Sequence, residues 1–307
     1  MRKKCCPEKR ISHITLCVFC LLLSFLFCTN ASAAEKKATR WTIRQYGRGD
    51  ASRQSMFYTI RSNAGELAVI DGGWKNDAGQ VRDVIKKNGN VVNAWIITHP
   101  HPDHVGALVE ILKSNRTKIK IRKIYTIPVD RKAYKKTKKW WDEYDVYDEF
   151  YHLTRKMKKV KYLKEKDELD LIGLKMKVFN SWDRSVSRLK VNLCNHGSLM
   201  FKLEGARKSM LFCSDIGKVR QKRLIRRYKK ELASTYVQCA HHGNWGLNKK
   251  FYRYVKPKIA FFDAPKMITD DTSGKYSAPS LIRYFKKRGV KVYTFANGNG
   301  KHTVKLS

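Results

Sequence analysis

Three histidines and a carboxylate fall within six positions, as His99, His101, Asp103 and His104, in the loop Thr98-His-Pro-His-Pro-Asp-His104 that follows the apolar run Ala94-Trp-Ile-Ile97. Imidazole and carboxylate are the side chains that hold Zn²⁺ and similar borderline cations. Pro100 and Pro102 are expected to stiffen the loop against continuing as helix or central strand. Of the nine histidines in the chain, six lie at His99, His101, His104, His196 and the pair His241-His242, and only His13, His152 and His302 lie elsewhere. Chance would spread them, so the clustering predicts a metal site. Asp215 and His241 each close an apolar run, where layered α/β folds expose groups to ligands. Asp71, at the end of Leu67-Ala-Val-Ile-Asp71, is a candidate to accept a hydrogen bond from a ligating imidazole and fix its tautomer.

The elements that must position these groups follow from periodicity. Strands are predicted at 41–46, 56–61, 67–71, 92–97, 175–179, 198–203, 208–215, 236–241, 258–262 and 291–295, and helices at 81–89, 105–112, 219–230 and 278–288. Between 131 and 160 a long basic helical stretch is expected, with an aliphatic stripe of Val146, Phe150, Leu153 and Met157 facing the core. A second stripe of Trp140, Tyr144, Tyr147 and Tyr151, interleaved with lysines, either widens the buried face or borders a cleft for a polyanionic or ring-bearing substrate. Strand runs followed by strand–helix alternation in each half predict packed sheets with helices outside.

The first 33 residues carry Arg2, Lys3, Lys4, Lys9 and Arg10 ahead of an apolar run at 14–28 and Ala31-Ser-Ala33, the layout of a secretory signal peptide or signal anchor. The run is shorter than the roughly 20 residues that span a bilayer, which favours export. Residues 34–307 are then one domain, secreted or held at the cell envelope, with membrane contact only transiently through the signal segment. Five of the eight cysteines leave with it, and Cys194, Cys213 and Cys239 read as small buried core residues rather than a disulfide framework. Of 65 Lys+Arg and 26 Asp+Glu the segment removes five and one, which leaves a formal +35. Such a surface attracts polyanions, nucleic acid or anionic wall polymers, and equally suits an anionic envelope. No protein partner is predicted.

The His-x-His-x-Asp-His run resembles the signature of the metallo-β-lactamase superfamily, here His99, His101, Asp103 and His104. Ile70-Asp-Gly-Gly73, Asn195-His-Gly-Ser-Leu199, Cys213-Ser-Asp215 and Ala240-His-His-Gly-Asn244 extend the likeness over most of the mature chain, nearest to the hydrolase domain of ComEC-type DNA-uptake proteins. The resemblance implies an α/β, four-layer αββα sandwich holding two divalent ions, Zn²⁺ or alternatively Mn²⁺. His99, His101 and His196 would hold one ion, and Asp103, His104 and His241 the other, with Asp215 bridging. Asn195 competes with His196 for its place. Because His241 follows its strand directly, it is taken as the ligand, leaving His242 to contact substrate or to support the ligands from behind. Asp103 would also orient the attacking water or take its proton. Trp140, Tyr144 and Trp245 are candidates to contact substrate.

The expected activity is an exported metal-dependent hydrolase, a phosphodiesterase or nuclease acting on a phosphate-containing polymer. A phosphorylcholine or wall-polymer esterase with the same site, and a non-catalytic polyanion-binding envelope protein, are the alternatives.

Overall fold

The computed structural model describes residues 40–47, 53–114, 118–297 and 300–307. The signal segment expected at residues 1–33 lies outside the described residues.

Sixteen short strands form two seven-stranded sheets and a two-stranded ribbon. The first sheet runs β16-β1-β2-β3-β5-β7-β8. Its members are β1 (Trp41–Tyr46), β2 (Phe57–Ser62), β3 (Leu67–Asp71), β5 (Ala94–Ile96), β7 (Ile124–Thr126), β8 (Val160–Tyr162) and β16 (Lys301–Leu306). The second runs β15-β14-β13-β12-β11-β10-β9. It is built from β9 (Glu168–Leu171), β10 (Leu174–Asn180), β11 (Met200–Glu204), β12 (Ser209–Phe212), β13 (Tyr236–Gln238), β14 (Ile259–Phe261) and β15 (Lys291–Tyr293). The ribbon pairs β4 (Val91–Val92) with β6 (Lys120–Ile121). Each sheet is antiparallel on one side and parallel on the other, from β3 through β8 and from β12 through β15.

Three apolar layers hold the sandwich. Ile43, Ile60 and Ile70 from the first sheet meet Met176, Phe201 and Phe212 from the second in the central layer. On one outer face Val69 and Trp95 pack against α1 (Ala78–Lys86) and α2 (Pro102–Lys113) through Val81, Ile85 and Leu108. On the other, Leu211 and Val237 pack against α7 (Lys218–Tyr228), α8 (Lys249–Val255) and α10 (Ala278–Lys286) through Leu224, Phe251 and Phe285. The remaining helices are α3 (Arg131–Thr137), α4 (Tyr144–Thr154), α5 (Arg184–Ser187), α6 (Leu193–His196) and α9 (Lys266–Thr269). Each fully buried large side chain contributes roughly 1.5–3 kcal/mol, so the layering follows from where the apolar residues fall. The four-layer αββα order expected from the sequence is the one observed.

The topology brings one set of chain ends together. The parallel strands β3, β5, β12 and β13 finish at the same edge of the sandwich as Asp71, the His99 loop, Asp215 and the His241-His242 pair. Strand β11 runs antiparallel to β12. Its start, preceded by α6 and His196, therefore lies at that edge too.

Two local expectations are corrected. The stretch 131–160 is not one helix: α3 ends at Thr137, Trp140–Asp142 make a 3₁₀ turn, Glu143 is left-handed at φ 39°, and α4 begins at Tyr144. Of its aromatic stripe, Tyr144 and Tyr147 lie in the core and Tyr151 packs against it, whereas Trp140 is exposed. The second proline of the loop does not stop a helix but starts one, since Pro102 is the first residue of α2, where the missing N–H costs nothing. Among the described residues no helix is long and apolar enough to cross a membrane.

Candidate metal centre

Asp71 ends β3 in a left-handed conformation, φ 53°, which turns its carboxylate back under the histidine loop. There it accepts hydrogen bonds from the Thr98 amide at 2.7 Å and the Thr98 hydroxyl at 2.7 Å. His104 Nδ1 lies 2.7 Å from the same carboxylate, so this nitrogen carries the proton and Nε2 faces inward.

The first turn of α2 presents Asp103 and His104 together. His104 Nε2 is 3.8 Å from Asp103 Oδ1 and 3.3 Å from Asp215 Oδ2. His242 completes this group, with Nε2 3.1 Å from Asp103 Oδ2 and 3.2 Å from Asp215 Oδ2. All four residues are buried, and one ligand atom from each lies within 4.8 Å of every other.

The remaining loop histidines form the flank of this cluster. His99 Nε2 is 3.9 Å from Asp215 Oδ2 and 3.1 Å from His101 Nδ1. The outward nitrogens are engaged: His99 Nδ1 lies 3.2 Å from the Thr98 hydroxyl, and His101 Nε2 lies 3.1 Å from Asp142 Oδ1. Asp142 was not singled out from the sequence. It sits 41 positions from its partner, in the 3₁₀ turn, and nothing local marks it.

Sequence order made His241 the ligand and His242 the substrate contact, and the structure reverses their approach. Both residues are left-handed, φ 53° and 57°. This kink swings the second imidazole inward. His241 Nε2 stays 3.9 Å from Asp215 Oδ2 with its side chain 34% exposed, and its Nδ1–H donates to the Asn244 carbonyl. Gly243 follows at φ 87°, and a Cβ there would stand 2.0 Å from the Phe262 ring. Glycine is therefore required at this turn.

His196, at the end of α6, packs its ring on Gly217, where a Cβ would come within 2.3 Å of the His196 Cε1 atom. Its Nδ1 is buried without a partner, and so is the side-chain oxygen of Asn195. Burial first, then Arg220 and His241, lower the His196 pKa to about 4, so the ring is neutral and its lone pair available.

Electrostatics gather positive charge at the cluster. Burial opposes protonation of His242, but Asp215 and Asp103 outweigh it and push the imidazole up to about 10. His101 is likewise raised to about 10, against burial, by Cys194 and Asp142. Asp215 is held well below the usual carboxylate range despite burial, by His242 and His104. Burial and the neighbouring His104 and His101 keep His99 far below the ordinary imidazole range. Protons thus occupy places where divalent cations would meet the same carboxylates, and cation binding would release them. The donor set fits such ions: His104 Nε2, His242 Nε2 and Asp215 Oδ1 are buried with no hydrogen-bond partner, which is costly unless something positive is bound.

A second buried carboxylate, Asp263, lies beneath the site. It accepts from Tyr58 at 2.6 Å, Gln45 at 2.7 Å and Gln238 at 2.9 Å. Gln238 in turn accepts from the amides of Cys213 and Ser214, and so fixes the turn that presents Asp215.

Of the candidate substrate contacts, Trp140 is 87% exposed, beside Trp141 on the turn that carries Asp142, and Trp245 is 62% exposed. Tyr144 is buried between Tyr134 and Tyr147, with ring centroids at 5.2 and 5.4 Å, and so cannot reach a ligand from its place in the core.

No curated protein matches the chain. Solved structures resemble it at low identity. CmlA, a diiron β-hydroxylase from Streptomyces venezuelae, gives a TM-score of 0.52 at 11% identity over 87% of this chain and 54% of that one. Unliganded yeast PDE1 gives 0.50 at 12% identity over 87% and 99%. YhfI from Bacillus subtilis, a metallo-β-lactamase fold protein, gives 0.49 at 10% identity over 87% and 99%. At such low identity these likenesses concern the fold alone. The profile of the metallo-β-lactamase superfamily matches residues 52–261, and the chain belongs to that superfamily.

Proposed function

We propose that the protein is an exported metal-dependent hydrolase that cleaves phosphodiester bonds in a phosphate-containing polymer, with its nearest kinship to ComEC-type domains. The observation that carries the reading is the convergence of four imidazoles on one buried oxygen, Asp215 Oδ2, at 3.2 to 3.9 Å. His99, His101 and His196 would hold one divalent ion, Zn²⁺ or Mn²⁺, and Asp103, His104 and His242 the other, with Asp215 between them and His241 at the open rim. Bound there, the ions would supply a water of lowered pKa and positive charge to offset the negative charge that develops on the scissile group.

The chain's own residues set the geometry. Asp71 and Asp142 hold His104 and His101 in single tautomers, and Asp103 would orient a water or accept its proton. The formal +39 of the whole chain supports a polyanionic substrate. The test is a screen of DNA, RNA and small phosphodiesters with Zn²⁺ or Mn²⁺, comparing wild type with His101→Ala and Asp103→Ala. Cleavage by wild type alone is expected; cleavage by none, or equally by all three, refutes the proposal.

A further inference from the structure

Beside the His241-His242 turn, a groove of about 400 Å³ opens between the loop at 243–248 and the starts of α7, α8 and α10, with Gly243 in its wall. Lys218, Lys249 and Lys250 line it together with Ser277, Ser280 and Trp245. No aspartate or glutamate does so. A few lysines are matched with carboxylates, as in Lys113–Glu149, Lys177–Glu231, Lys202–Glu204 and Lys266–Asp270, but in a chain of 65 Lys+Arg and 26 Asp+Glu most are not. Among the described residues, none of the three groove lysines has such a partner. The groove therefore offers an anion the unpaired ammonium groups of Lys218, Lys249 and Lys250, with the Ser280 hydroxyl beside them.

The tryptophan at its edge is held rigidly. The Trp245 amide donates to the Ser277 hydroxyl at 2.6 Å, and the indole Nε1–H donates to the Lys275 carbonyl at 3.3 Å. Asn244 Oδ1 accepts from the Ser277 amide at 2.8 Å and so ties α10 to the same loop. The ring is nevertheless 62% exposed. A large apolar ring fixed at both polar ends and left in solvent is a preorganised stacking surface.

The loop is also joined to the metal centre at two points. Trp245 follows His242 by three residues, and Gly246 bridges to Gly217, the glycine on which the His196 ring rests.

The geometry points to a subsite that takes one nucleotide unit of a bound strand, with phosphate against Lys218, Lys249 and Lys250 and the base stacked on Trp245. It rests on the phosphodiesterase reading and narrows it. A wall polymer of phosphate and polyol offers the lysines a ligand but gives the ordered indole nothing to stack on, whereas every nucleotide supplies both.

The test is calorimetric titration of the full protein as purified with adenosine 5′-monophosphate, ribose 5-phosphate and inorganic phosphate. Wild type should prefer the nucleotide over ribose 5-phosphate by about tenfold, the scale of one base–aromatic stack. The ratio cancels any phosphate binding at the metal centre. Trp245→Ala should abolish the preference and Trp245→Phe should keep most of it. The double variant Lys249→Ala/Lys250→Ala should weaken both sugar phosphates by a similar factor with the ratio unchanged. A ratio near one in wild type, or a ratio unaltered in Trp245→Ala, overturns the subsite. So does loss, in Trp245→Ala, of binding to anionic phosphatidylglycerol vesicles without any nucleotide preference in wild type, which would assign the indole to a lipid surface. Cleavage of small phosphodiesters without nucleotide preference refutes the subsite alone. Nucleotide preference without cleavage supports the subsite and refutes the hydrolase.

Discussion

Replacing Asp71 by Asn changes one atom at the base of the metal centre and should cost it an ion. The carboxylate is fully buried and takes hydrogen bonds from the Thr98 amide, the Thr98 hydroxyl and His104 Nδ1, each at 2.7 Å. An amide keeps one oxygen, which can still serve the Thr98 amide, and turns an NH₂ toward the other two. His104 then either sets Nδ1–H against a donor or moves its proton to Nε2. The second choice aims an N–H at Asp103 and Asp215 and removes the lone pair that faces them. Losing one charge-assisted bond of this kind costs roughly 1.5–3 kcal/mol, and removal of a partner behind a metal ligand typically lowers affinity about 10–100-fold. Competition with a chromophoric chelator at fixed pH should show that loss for one of two Zn²⁺ sites, with a matching fall in turnover. Zinc affinity within about twofold of wild type would refute the claim that Asp71 acts through the His104 tautomer.

Other substitutions separate neighbouring residues. His242→Ala should lose one metal equivalent and lower cleavage by at least about 100-fold, the scale seen when a group acting at the reacting centre is removed. His241→Ala, whose ring is at the rim, should keep its metal content, with element analysis of both variants as the check. Gly217→Ala places a methyl 2.3 Å from the His196 ring, and should destabilise the fold by about 1–3 kcal/mol while displacing that ring; denaturant titration and metal content report the two effects. Asp183, which accepts from the Ser185 and Val186 amides and from Arg220 at 2.9 Å, has its pKa lowered to about 2, against burial, by Ser185 and Arg220. Its stabilisation is therefore fully present above the ordinary value of 3.8 and lost as pH falls toward 2. Asp183→Asn should lower Tm at pH 6 and lose that deficit near pH 2, and a deficit independent of pH would show the ion pair to be immaterial.

What could be read in advance followed from local pattern. The His99–His104 loop, Asp71 and Asp215 were legible because each ends a strand whose apolar run is five or more residues long or is flanked by a recognisable turn. Strands β4, β6, β7, β8 and β9 were not, because they are two to four residues long with charged or polar residues close by, whereas the equally short β5, β13 and β14 sit in longer apolar runs. Strand β16 was readable in principle, since His302, Val304 and Leu306 alternate with exposed residues. The break at Trp140–Asp142 is a tertiary effect: Asp142 leaves the helix to meet His101 and is buried there, which outweighs helix propensity. The order of His241 and His242 depends on two consecutive left-handed residues, a conformation that non-glycine residues adopt at a cost and that composition does not reveal.

The account stands most directly on metal stoichiometry. Element analysis of wild-type protein purified without chelator should find about two equivalents of a divalent transition metal per chain, as a paired site of this kind holds, and less than about one in the variant Asp215→Ala. Well under one equivalent in the wild type, on protein that also fails to take up added Zn²⁺ or Mn²⁺, would contradict it.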